Sequence, residues 1–424
     1  MSQSAVILPG SPLAGSTMVG DINAAWAAII SKFSGTVAPT LGPGGSGALV
    51  ESQWWLDTST TPHVLRVHDG AQFVPLLTLD TTNHFSQPPQ ALRNILMDNG
   101  SFEVWQRGAG SSASIAVGAS STAYTADRWY ITTGANQASV VAAVTGLTNA
   151  SNLAGKITRN NAQTGVTAYT FGFPLDTDEV VRMRGSKVTM SAFFKAGANW
   201  SPTAGTIVGT LYVGTGAVAK RGGGFTGEIS VVSMSTNIAP SAGPTGNSAV
   251  SAAVVPTNAT QGELQFTWTP VGTAGADDSI TLDDVQVEIG VFASQFERMP
   301  FDLILQKCKR HFWKTFLYGT APVTNAGANT GEIQDTIGKA GATALGFVVA
   351  VRHPVSMRAS PSVTTLNPSA ANAQARLETG TPGDMSATAT ANLNSETITV
   401  TATGNASGTV GDTGGVHLIV DAGI

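Results

Sequence analysis

The side chains best suited to chemistry are three carboxylates: Glu103, and the adjacent pair Asp283 and Asp284. A plain account exists for them, with Glu103 pairing to Arg107 or Arg298 and the two aspartates solvated. Trp200 lies in the loop-like stretch "GANWSPTAGT" and is the aromatic best placed to meet a ligand, because loops carry function. Trp105, Trp129, Phe193 and Trp268 could form a stacking platform for a ligand, but they sit at strand-like or motif positions, where core packing is the expected role.

Recognised catalytic patterns are missing. The six histidines form no His-Glu-x-x-His or paired zinc spacing, and there is no Gly-x-Ser-x-Gly elbow and no Walker loop. "DTDE" at Asp176–Glu179 reads as a charged turn before "VVRMRG". The expectation is a binding protein and not an enzyme.

These residues must be positioned by a mostly β chain. Only 12% of residues are charged, about half the usual share, and Ser, Thr, Gly and Ala replace the missing Lys and Glu. Thr and Val suit a pleated surface, and 48 Gly with 20 Pro supply breakers for many turns. The chain's 424 residues exceed what one core organises. A net charge of −5 argues against a nucleic-acid partner. The single Cys308 excludes an internal disulfide and fits folding in a reducing cytoplasm. No stretch has the length or apolarity for membrane insertion or a signal peptide.

Along the chain, Val19, Ile22, Trp26, Ile29 and Phe33 alternate spacings of three and four, an a/d seam of about two heptads. That predicts a helix which either packs on its own domain or serves as an oligomerisation and anchoring segment over 1–35. A small β-hairpin module follows over 36–80, with Asp69-Gly70 as a two-residue turn. Residues 81–98 read as a linker. Between 99 and 300, "NGSFEVWQRG" opens with a turn leading into a strand, and "LDDVQVEIG" closes the unit. Several alternating segments lie between them, as in a jelly-roll β-sandwich. In the closing strand Ile280 and Leu282 share one phase while Val285 and Val287 share the other, which predicts a β-bulge at Asp283-Asp284. Residues 301–318 show helical spacing of Phe301, Ile304, Leu305, Cys308, Phe312 and Phe316, and 319–424 return to β-patterning as a second β-domain. The fold class is therefore mainly β and multi-domain, with β-sandwich domains plus short N-terminal and connecting helices.

Several segments resemble those of bacteriophage structural proteins: "NILMDNGSFEVWQRG", "YTADRWYI", "VEIGVFASQFERMPFDLILQKCKRHFWK" and "HPVSMRASPSVTT". The pattern from Trp55 to Val74 likewise resembles a small module of tail and fibre proteins. The similar class comprises tail fibres, spikes and virion attachment proteins, including those of gene transfer particles, with a jelly roll similar to carbohydrate-binding modules. Two departures stand out: "CKRHFWK" replaces a more usual pair of tyrosines, and "ANTGEIQDTIGKAGATALG" matches no known pattern. The resemblance implies a virion-surface protein made in the bacterial cytoplasm. Its implied partners are other virion proteins through the N-terminus, copies of itself in a homotrimer, and a host polysaccharide. It also implies that Glu103 and Asp283/Asp284 help hold a structural calcium, whose six to eight oxygens would be completed by backbone carbonyls. In that setting Trp200 becomes a sugar-stacking candidate. Rival readings are a purely structural virion part and, further off, a polysaccharide depolymerase.

Overall fold

The structure is a computed structural model that describes residues 34–40, 52–59, 63–80, 85–87, 94–95, 98–327, 331–340, 344–391, 396–404 and 408–423. The helix expected around Val19, Ile22, Trp26, Ile29 and Phe33 lies outside the described residues. The chain divides into two compact units, Met1–Arg93 and Asn94–Ile424.

In the first unit β1 (Ser34–Gly35), β2 (Trp54–Asp57), β3 (His63–His68), β4 (Phe73–Asp80) and β5 (Phe85–Gln87) form one sheet in that order. The β1–β2 pair is parallel and the others are antiparallel. The Trp-x-Asp pattern has structural work to do. Trp55 packs edge-on against Phe73 at 5.6 Å, and buried Asp57 accepts from Arg66 Nε at 3.0 Å. The hairpin loop is longer than expected. His68 pairs with Phe73, leaving four residues in the turn, and Asp69 Oδ1 accepts from the Ala71 and Gln72 amides at 2.8 Å each. The Asp side chain extends the turn by binding amides that a two-residue loop would not contain.

The second unit begins with a sandwich of two six-stranded sheets. Its strands are β6 (Ser114–Val117), β7 (Thr122–Tyr124), β8 (Tyr130–Thr132), β9 (Ser139–Thr145), β10 (Leu153–Arg159) and β11 (Tyr169–Leu175). They continue as β12 (Val188–Ala196), β13 (Thr206–Gly214), β14 (Ile229–Asn237), β15 (Thr245–Val250), β16 (Gln261–Trp268) and β17 (Asp278–Ile289). One sheet runs β15-β12-β17-β10-β9-β6 and the other β14-β13-β16-β11-β8-β7, with every neighbour antiparallel. Alternating residues of both sheets fill one core, including Phe171, Phe194, Leu211, Phe266 and Ile280. Trp105, Trp129 and Trp268 join it, and Trp129 stacks on Phe171 at 4.8 Å.

"NGSFEVWQRG" is not a strand. It is a buried irregular segment with Phe102 at φ +56°. Side chains satisfy its backbone where a ladder would otherwise do so. Asn99 Nδ2 donates to the carbonyls of Val104 (2.8 Å) and Asp127 (3.0 Å), and its Oδ1 accepts from Val104 N at 3.0 Å. The expected bulge is present in β17. Ser191 pairs with Gln286 and Phe193 with Asp283, so β17 carries one extra residue here, and Asp284 adopts φ +46°. This shift keeps Ile280, Leu282, Val285 and Val287 all in the core.

Asp176–Glu179 starts a helix, Thr177–Met183, instead of ending as a turn, and Glu179 Oε2 accepts from the Asp176 amide at 2.7 Å. This is half of a capping box. The connecting helix is shorter than its apolar spacing implied, Phe301–Lys309. Phe312–Lys314 (β18) pairs with the last strand, because a ladder partner outweighs a weak local helical pattern.

The C-terminal sheet adds β19 (Ile333–Thr336), β20 (Gly338–Ala340), β21 (Ala344–Arg352), β22 (Ser362–Leu366), β23 (Ala375–Leu377), β24 (Gly383–Ala391), β25 (Thr397–Thr403) and β26 (Thr413–Asp421). Strand β26 is its hub, pairing with β18, β19, β22 and β23. A second core of Phe347, Leu377, Ile398, Val400 and Val416 lies beneath. It meets the sandwich through Arg107–Asp421 (2.7 Å) and through Lys314 Nζ, which donates to Gly108 O at 3.1 Å.

Candidate functional site

Trp200 is not a ligand platform. Only 4% of it is exposed, its indole N–H donates to Gly205 O at 3.1 Å, and its ring packs near Trp268. Its loop is pinned from below: Asp278 accepts from the Ser201 amide at 3.2 Å and hydroxyl at 3.0 Å, which turns the indole inward. Phe193 does the reverse of what was expected. Ala192 and Phe194 enter the core while Phe193 stands on the outer face, 36% exposed. Its ring rests across Gly246 of β15, the residue paired with it; a Cβ at Gly246 would sit 3.0 Å from the ring.

Phe193 lies in an open groove of about 440 Å³. The floor is the outer face of β12 and β15, with Ser191 and Ser248 beside Phe193. One wall is the loop carrying Asn149. The other is the segment 291–298, which brings Phe296 and Arg298. That segment is clipped to the outer face of β17. Ser294 N and Oγ donate to the two oxygens of buried Glu288 at 2.7 and 2.6 Å, and Glu297 N donates to Gln286 Oε1 at 2.9 Å. Strand β17 is consequently covered on both faces.

The structure does bring the three carboxylates to one region, around the loop 146–152. Glu103 Oε1 accepts from Asn152 N at 3.3 Å. Asp283 accepts from Leu147 N (2.7 Å), Ser151 Oγ (2.9 Å) and Asp284 N (2.7 Å). Asp284, aimed outward by the bulge, takes Arg298 Nη2 on both oxygens at 2.8 and 2.6 Å, and Thr148 Oγ1 at 3.0 Å. Burial, then the charge of Asp284, pushes the Asp283 carboxyl up to about 6, and burial raises Glu103 as well.

This arrangement does not fit calcium. The groups turned toward the carboxylates are N–H, O–H and guanidinium, and Asp284 is committed to Arg298. Among the described residues no group of three or more His, Cys, Asp or Glu is placed to hold a metal. The role that the acids do serve is anchoring: Asp283 and Asp284 tie both groove walls, the 146–152 loop and Arg298, to β17, and Glu103 ties the same loop to the 99–108 segment.

The groove can therefore offer an apolar ring face, several amides and hydroxyls, and one ion pair whose charges cancel. Asn149, Ser248 and Phe296 are not legible in the sequence as site residues, and Phe193 is a stacking candidate there whose strand position favours the core. The one signal available was the alternation in "SAFFKAG", where two adjacent Phe cannot both face the core.

No protein-family model matches the chain, and no curated protein matches it. Among solved structures, a putative sugar binding protein from Bacteroides thetaiotaomicron is 12% identical over 46% of this chain and 99% of its own, at TM-score 0.29. The CBM22-1 xylan-binding domain of Paenibacillus barcinonensis Xyn10C is 15% identical over 46% of this chain and 93% of its own, at TM-score 0.26. A Clostridium thermocellum xylanase with CBM22-1 and GH10 modules is 14% identical over 48% of this chain and is spanned over only 30% of its length, at TM-score 0.25. At such scores the fold assignment rests on the chain's own strand order and core: it is mainly β, built of sandwich-like sheets.

Proposed function

We propose that the protein is a carbohydrate-binding attachment protein whose sandwich takes a saccharide in the groove of Phe193, without a catalytic step. The observation that carries this reading is an exposed phenyl ring on the floor of an open groove, ringed by amides and hydroxyls. Sugars present apolar C–H faces to aromatic rings and hydroxyls to amides, so the groove matches both halves of their surface. The resemblance of the chain's segments to virion attachment proteins supports placing it on a phage or gene-transfer particle. There the N-terminal segment would face other virion proteins and a homotrimer would multiply weak single-site affinity.

The test is binding of the fluorescently labelled full chain to bacterial host cells and to an isogenic strain lacking surface polysaccharide. Wild type should bind the first strain only, and Phe193→Ala should lose about tenfold in affinity, the worth of one aromatic contact. Equal failure on both strains by a folded chain would favour a purely structural virion part. Release of reducing ends from purified polysaccharide would instead show a depolymerase.

A further inference from the structure

A second cavity, of about 390 Å³, opens on the other sheet and shares no lining residue with the groove. Ile131, Phe171, Leu264 and Phe266 point into the core, so their neighbours Tyr130, Thr132, Thr170 and Gln265 face outward. Register places Thr132 opposite Thr170, and Gly172 between Tyr130 and Gln265. Gly172 leaves the room in which Tyr130 and Glu263 meet. A Cβ there would lie 2.5 Å from the Tyr130 ring and 2.7 Å from Glu263 Oε1.

Beneath the cavity is a fully connected polar layer. The Tyr130 hydroxyl donates to the buried Glu263 carboxyl, which also accepts from Gln265 Nε2 at 2.7 Å and from the Arg221 amide at 2.5 Å. Burial raises both Tyr130 and Glu263 above their ordinary ranges. Arg221 forms the rim. It lies over Tyr212 at 3.9 Å, its Nη1 donates to Gln265 Oε1 at 3.1 Å, and its Nε donates to Glu228 Oε1 at 2.8 Å. The guanidinium and carboxylate are thus held side by side at the mouth, about a third exposed each. Together they set N–H donors beside a carboxylate acceptor, the pairing that two neighbouring hydroxyls of a sugar ring satisfy.

From this geometry we infer that the sandwich carries a second saccharide site, on the sheet opposite the groove, built from Arg221, Glu228, Gln265, Thr132 and Thr170. The ligand class rests on the reading of the groove as a sugar site; the existence of the cavity and its polar layer does not. Two sites on opposite sheets would let one domain bridge two glycan chains or grip one that wraps around it.

The experiment applies the full chain to an array of neutral and acidic oligosaccharides, comparing wild type, Phe193→Ala, Arg221→Ala, Thr170→Phe and the Phe193→Ala/Thr170→Phe double variant. Titration calorimetry with the brightest oligosaccharide then gives the stoichiometry. Expected are two ligands per wild-type chain, one per chain for Thr170→Phe and for Arg221→Ala, and two for Phe193→Ala of which one binds about tenfold more weakly; the double variant keeps only that weakened site. Thr170→Phe fills the cavity without removing any member of the polar layer, so it guards against Arg221→Ala acting through the fold. One ligand per wild-type chain, weakened by Phe193→Ala and unchanged by Thr170→Phe, overturns the second site and leaves the groove intact. A wild-type chain that binds nothing on the array overturns both.

Discussion

Replacing Arg298 with Leu should weaken the sandwich in a pH-dependent way. Arg298 Nη2 makes two hydrogen bonds to Asp284, whose side chain is only 4% exposed, while that of Arg298 is 30% exposed. Breaking a fully buried pair costs about 3–5 kcal/mol, and hydrogen bonds to charged groups are worth about 1.5–3. Because water reaches part of Arg298, and would reach part of the gap it leaves, the lower figure applies: a loss of about 2 kcal/mol at pH 7.5. The pH dependence comes from Asp283. Its folded-state value of about 6 lies above the ordinary carboxylate range, so the folded state binds more protons than the unfolded one between about pH 4 and 6. Its ionisation therefore costs nothing below that window, erodes stability as pH rises through it, and costs its full amount above. Without Arg298 the same carboxyl feels Asp284 uncompensated, and the window stretches upward. Urea unfolding followed by tryptophan fluorescence at pH 7.5 and 5.0 measures this, since Trp105 and Trp129 lie in the sandwich core. The destabilisation should be larger at pH 7.5. A loss below about 0.5 kcal/mol at pH 7.5, or an equal loss at both pH values, would refute the anchoring role assigned to this pair.

Two further outcomes are expected. Arg128, buried among Asp98, Glu179 and the Pro174 carbonyl, should cost about 3–5 kcal/mol as Arg128→Met, while Glu179→Gln should cost far less at pH 7, because burial already lifts that carboxyl to about 7; denaturation midpoints of the two variants compare them. Millimolar calcium should leave the melting temperature within about 1 °C, and a calcium-dependent rise of several degrees would show that Glu103 and Asp283 rearrange into a site after all.

What the sequence determined by itself were properties of local phase. Alternation located β12, β13, β16 and β17, and the change of phase between Leu282 and Val285 located the bulge, since period-2 side-chain geometry leaves no other way to keep both pairs buried. Co-location of Glu103 with Asp283 and Asp284 followed only from the resemblance to jelly-roll proteins, not from the residues themselves. Tertiary structure alone decided what covers each face. Trp200 and Phe193 exchanged their expected roles because alternation states which residues share a side, not whether that side is sealed. Asp278 pulls the Trp200 loop inward, whereas nothing among the described residues lies over Phe193 but open groove. The groove itself joins Asn149, Phe193, Ser248 and Arg298, which no window of sequence contains together. They meet because Glu288 and Asp284, buried on the outer face of β17, each needed partners, and the chain satisfied them by folding 291–298 back across the sheet.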